Sequence, residues 1–206
     1  MAPRVSKADD SSTRTALLDA TQALMLEEGY AAVTTRRLAA RSGLNNALVH
    51  YYFKTMDDLF IALFRRGAEQ SFERQAEVLA SPQPLWALWD DMHNPSRSAV
   101  TMEFIALANH RKAIRAEIAD YSRKFRALQL ESLESILDGY GLDVDEWSPA
   151  TVVLLMSSIS RFLLIEEAFN LDLGHADMVA LVERHITALE GERRPPGHQQ
   201  SSSKAS

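Results

Sequence analysis

The sequence predicts an all-α protein, with a small three-helix head followed by a larger helical body. Three observations carry that prediction. Apolar residues recur at i, i+3, i+4 and i+7 in nearly every long segment. Helix start signals stand at Thr34, Asn45, Thr55 and Ser148-Pro149, and glycine stop signals at Gly29, Gly43 and Gly174. No run of alternating β-branched residues and no Asn-Gly hairpin turn competes with them.

From Thr13, the residues Leu17, Leu18, Thr21, Leu24 and Met25 form one apolar stripe, and Gly29 ends that helix. Residues 1–12 read as a disordered arm. Thr34 is a good N-cap for "TRRLAARS", which runs to Gly43. Asn45 is placed to cap a third helix, on which Leu48, Tyr52 and Phe53 are expected to turn inward against Leu17, Leu24 and Leu38. "TMDD" from Thr55 matches the capping-box start ahead of Leu59, Phe60, Leu63 and Phe64. Three helices within about 40 residues, the second and third joined by a tight turn at Gly43, make a helix-turn-helix. The head is assigned to 13–56 and the body to 57–191.

In the body, Ser81-Pro82, Pro84 and Asn94-Pro95 break the chain on either side of "LWALWDDMHN". Helical patterns follow from about Ser96 to His110 and from about Ala113 to Leu137. Ser148 caps a helix with proline at its first position, apolar on nearly all sides and expected to reach Leu173 before Gly174 stops it. A last helix, Ala176–Glu190, carries Met178, Leu181, Val182, Ile186 and Leu189. Residues 192–206 read as a disordered tail by composition.

Composition removes several function classes. There is no cysteine, hence no disulfide and no thiolate metal site. The first residues lack the apolar core of a secretory signal. The stretch Val152–Ile165 is interrupted by three serines and Arg161, and reads as too short and too polar for a bilayer core of roughly 30 Å. The expectation is a cytoplasmic protein with no membrane partner. No nucleophile elbow, zinc-protease, P-loop or dinucleotide motif is present, and Asp172, His175 and Asp177 read as a cap and turn. The expectation is therefore no enzyme, no metal and no cofactor. Residues 1–54 hold seven basic and five acidic residues, which leaves −8 on the remainder of a chain whose net charge is −6. A small anion-facing head on an acidic body fits that asymmetry.

The residue types of "GLNNALVHYYFK" fit a helix lying in a DNA major groove. Asparagine pairs in bidentate fashion with adenine, which suits Asn46; Ala47 is small enough to meet a thymine methyl. His50, Tyr51 and Lys54 are placed to meet phosphates, as are Thr34, Thr35 and Arg36 at the start of the preceding helix. With the cap Asn45, these nine are the candidate DNA contacts. A second reading keeps the head as a scaffold in a helical interaction module without sequence-specific DNA binding.

Thr13 to about Phe64 resembles the DNA-binding domain of the TetR family of transcriptional regulators. The matching positions are Gly29-Tyr30, Thr34-x-Arg36-x-Leu38-Ala39, Gly43, Tyr51-x-Phe53 and Asp57-Asp58-Leu59. Met56 stands where lysine is common in that family, and His50 where tyrosine is common. The resemblance implies a repressor that binds a palindromic double-stranded operator as a homodimer and is released by a small, mostly apolar effector. It also implies a C-terminal ligand-binding and dimerisation domain whose last two helices pair across the dimer. The apolar helix from Pro149 is compatible with this on its own terms, since it needs partners on more than one side. Candidate dimer residues are Leu155, Ile159, Phe162, Leu163, Glu166, Met178, Val182 and Ile186. Candidate effector contacts are Trp86, Trp89, Met102, Ile105, Phe125 and Met156, with Asn109, Tyr121 and Gln129 as polar orienters.

Overall fold

A computed structural model describes residues 7–143 and 145–194. Among these residues there are nine α-helices and no strand: α1 (Lys7–Glu28), α2 (Thr35–Ser42), α3 (Asn46–Tyr52), α4 (Met56–Leu79), α5 (Pro84–Met92), α6 (Pro95–His110), α7 (Lys112–Gly139), α8 (Pro149–Glu167) and α9 (His175–Glu190). A single 3-10 turn, Tyr30–Ala32, lies between α1 and α2.

The start signals act as the sequence predicts. The Asn45 side chain accepts from the Leu48 amide at 2.9 Å and that of Ser148 from the Thr151 amide at 3.2 Å. At Thr55 the box is reciprocal: Thr55 Oγ1 accepts from the Asp58 amide at 3.1 Å, and the Asp58 carboxylate accepts from the Thr55 amide at 2.9 Å. Gly43 closes α2 in the left-handed region, φ 69°, where a Cβ is disfavoured.

The chain divides into two compact units. The first holds residues up to Arg74 together with Pro95–Leu128. Its core joins Leu17, Leu18, Leu24 and Met25 of α1 to Leu38, Val49 and Phe53, to Leu59, Phe60 and Leu63 of α4, and to Phe104, Leu107 and Ile114. The head and α6 therefore share one core, which the division at residues 56 and 57 did not foresee. Two polar links add to it. The Tyr30 amide donates to a Glu103 carboxylate oxygen of α6 at 2.6 Å. Arg111 pairs with Asp57 in the first turn of α4 and lies over the Phe60 ring.

The second unit holds Gln75–Asn94 together with residues from Gln129 onward. Leu85, Trp86, Leu88 and Trp89 of α5 pack with Leu133 and Leu137 of α7, with Val152, Val153 and Met156 of α8, and with Ile186 of α9. Glu190 ends α9 with its carboxylate on the start of α5, accepting from the amides of Leu85 (2.8 Å) and Trp86 (3.1 Å) and from the Tyr140 hydroxyl (2.5 Å). Burial, and then the bond to Glu190, raise the Tyr140 phenol above its ordinary range, so it stays a donor.

Four sequence expectations change. Helix α1 begins at Lys7, so residues 7–12 are not a disordered arm; residues 1–6 lie outside the described residues. Residues 192–194 are tied down: Gln83 donates to the Glu192 carbonyl at 2.9 Å and accepts from the Arg194 amide at 2.8 Å. The rest of that tail lies outside the described residues. Helix α8 stops at Glu167, because Asn170 takes a left-handed φ of 58° and the Leu171 amide turns back to the Glu166 carbonyl. At 19 residues α8 is, contrary to expectation, long and apolar enough to cross a membrane. The core it shares with α5, α7 and α9 gives that apolar character another use.

Candidate nucleic-acid interface

Helix α3 is held by one cap and one anchor. Asn45 fixes its start, and Val49, 2% exposed, is its one buried side chain. Phe53 follows into the core, with the Arg14 guanidinium 5.5 Å from its ring centroid. Leu48, expected inward, is only half buried; the helix is rolled by one residue so that Val49 takes that place. Tyr52 packs against the core, and its hydroxyl donates to Asp10 of α1 at 2.7 Å.

That arrangement leaves Asn46, Ala47, His50 and Tyr51 exposed on the same short helix, with Lys54 just beyond it. Tyr51 is 64% exposed and meets the Tyr52 ring edge-on, while the Lys54 ammonium lies 5.9 Å from its centroid. At the start of α2, Thr34 and Arg36 are exposed. Thr34 Oγ1 already accepts from the Arg37 amide at 3.3 Å. Thr35 is half buried and donates toward the Met56 sulfur at 3.9 Å, so Met56 lies inside the head's packing.

The head's cations are not equally available. Arg37 is paired with Glu28, and Arg41 with Glu27 through two bonds, the longer 2.7 Å. The Arg37 hydrogen bond holds the Glu28 carboxyl below its usual range. Among the described residues, Arg36 and Lys54 carry no such carboxylate partner. These pairings span the turn between α1 and α2, and no helix spacing in the sequence announces them.

The remaining candidates separate. Met102, Ile105, Asn109, Tyr121 and Phe125 belong to the first unit, the first three of them exposed. Trp86, Trp89, Gln129 and Met156 belong to the second and are buried, Gln129 donating to Gln75 at 3.4 Å. The tryptophans and Met156, at helical spacing, belong to the packed core of that second unit. On α8 and α9, Leu155, Phe162 and Met178 are exposed, as are Leu154 and Leu181, which are not among the dimer candidates. Ile159 and Val182 are half buried. Leu163 and Ile186, each 4% exposed, are spent inside the chain and offer no outer surface. The Glu166 carboxylate lies 2.8 Å from His175 Nε2.

Residues 17–63 match the family model described as bacterial regulatory proteins, tetR family. The HTH-type transcriptional repressor AcnR of Corynebacterium diphtheriae is 27% identical over 135 residues, 64% of this chain and 69% of that protein. A TetR transcription regulator from Haloarcula marismortui has the same fold, with a TM-score of 0.68 and 21% identity over 87% of this chain and 98% of that one. A transcriptional regulator from Saccharomonospora viridis, solved in complex with choline, gives 0.66 and 19% over 86% and 95%.

Proposed function

We propose that this chain is a transcriptional regulator of the TetR family, whose model its residues 17–63 match, and that it is a repressor, binding a palindromic operator as a homodimer and released by a small, mostly apolar effector. The observation that carries the reading is the exposed edge of α3. One cap and one buried valine hold a helix on which Asn46, Ala47, His50 and Tyr51 are all exposed. Asn46 reads a base edge and Ala47 meets a thymine methyl. His50, Tyr51 and Lys54 anchor the helix to phosphates, joined by Thr34, Thr35 and Arg36 at the start of α2.

Dimerisation is supported by the exposed Leu154, Leu155, Phe162, Met178 and Leu181 on α8 and α9, a concentration of large apolar groups on two helices. A two-fold dimer would set the two α3 helices about 34–36 Å apart, one turn of duplex. An effector acts by favouring a state with another spacing, to the extent that it binds that state better. Helix α4 contributes residues to both compact units and carries Asp57, the partner of Arg111, so it is the transmitter in this scheme. Repression is supported by the likeness to AcnR, and a small-molecule effector by the choline-bound relative. The protein acts in the cytoplasm as a regulator rather than an enzyme.

Selection of duplexes from a random pool with the purified protein tests the reading, repeated with Asn46→Ala. A palindrome relaxed at one base position per half-site is expected, with about 1–3 kcal/mol of discrimination lost there. An unchanged palindrome with Asn46→Ala would remove that residue from base reading. No enrichment at all would leave the scaffold-module reading in its place.

A further inference from the structure

Within the first compact unit, α4 and α7 face each other across a shallow cleft with room for about 150 Å³. Its floor is aromatic. Phe64, Ala68 and Phe72 follow one another at four-residue steps on α4, and the small Ala68 leaves a gap between the two phenyl rings. Tyr121 of α7 closes the gap, meeting Phe64 and Phe72 edge-on with centroids 5.4 Å away in each case. All three rings are half buried, so part of each remains open to the cleft.

The rim is charged. Arg65 donates to both oxygens of Glu117, at 2.6 and 2.9 Å, and Lys124 pairs with Asp120 at 2.6 Å, with Arg123, outside the lining, 3.6 Å from the same carboxylate. Those four charges cancel in pairs. Glu69, the fifth charged residue of the lining, is exposed and has no cationic partner among the described residues. The lining therefore carries one uncompensated negative charge beside three aromatic rings.

We propose that this cleft binds a small organic cation, an alkyl- or aryl-ammonium group, with the charge over the rings and beside Glu69. Aromatic faces are electron-rich and attract cations, and a neighbouring carboxylate adds to that field. An anion would meet repulsion from both. The site deepens the effector reading and rests on it only for any consequence at DNA, since binding itself is a property of this one unit.

Titration calorimetry of the full chain with tetramethylammonium tests the proposal, with tert-butanol as the neutral molecule of similar shape. Saturable binding of the cation at one site per chain is expected, with no comparable binding of the alcohol. Glu69→Gln should weaken it about five-fold and Phe72→Leu about ten-fold, while Ala68→Trp fills the gap and abolishes it. Equal binding of the alcohol, no saturation by the cation, or affinity unchanged in Glu69→Gln and Phe72→Leu would overturn the proposal. Operator binding of the same samples without cation is measured alongside. Its absence would remove the regulator reading while leaving the cleft result standing.

Discussion

At Lys54 the phosphate reading meets its sharpest test. The family position commonly filled by lysine holds Met56, which packs inside the head, and Arg37 and Arg41 are engaged by Glu28 and Glu27. Lys54 and Arg36 are thus left as the cations most free to meet phosphate. Lys54→Ala is expected to weaken binding to every duplex by a similar factor. It should also flatten the slope of log K against log salt by about 0.9 per lost contact, or about twice that for a dimer. Binding measured by anisotropy from low to high salt checks this. An unchanged slope would mean that Lys54 serves only to cover the Tyr51 ring. Conversely, Glu28→Gln releases Arg37 and is expected to raise affinity for DNA of any sequence.

At the scale of elements, the signals that could be read from the sequence were the local ones. Caps at Asn45, Thr55 and Ser148 and the left-handed Gly43 act through residues three or four apart, so a short window contains the whole cause. The end of α8 is the counter-example. "AFNLDLG" stays apolar to Leu173, and the turn at Asn170 rests on backbone geometry that asparagine permits but does not announce. Leu48 and Val49 show the same limit, since a shift of one residue decides which faces the core, and that depends on where α1 and α4 lie. Two substitutions test the element-level account by urea denaturation. Thr55→Ala removes one half of a reciprocal cap and is expected to cost about 1 kcal/mol. Glu190→Ala strips the start of α5 of the acceptor shared by Leu85, Trp86 and Tyr140, and is expected to cost about 1–3 kcal/mol. A change in tryptophan emission from Trp86 should accompany the second and not the first.

For the whole molecule, the all-α class and the order of its helices follow from periodicity, whereas the grouping of those helices does not. The head was legible as three helices, but its shared core arises from Phe104 and Leu107 of α6 and Ile114 of α7, about fifty residues further on or more. Most of the effector candidates are large aromatic and methionine side chains at helical spacing, a pattern that core packing produces equally well. Trp86, Trp89 and Met156 are that case. The cleft at Phe64, Ala68 and Phe72 exists only because α7 brings Tyr121 opposite the gap. The apolar faces of α8 and α9 are the remaining whole-molecule feature, and Phe162→Glu probes them. It is expected to leave helix content unchanged, to yield monomers by sedimentation, and to abolish tight operator binding. A dimer that survives this change would place the interface elsewhere.

The central claim is that two copies of α3 read one two-fold DNA site, and the most direct measurement is the stoichiometry of the complex. The palindrome recovered by selection is titrated with the wild-type chain while the mass of the complex is followed, at several salt concentrations. Two chains per duplex are predicted, or a higher even number, with affinity falling steeply as salt rises and tenfold or weaker binding to a duplex with one half-site scrambled. A single chain per duplex, or equal affinity for the scrambled duplex, would contradict the account.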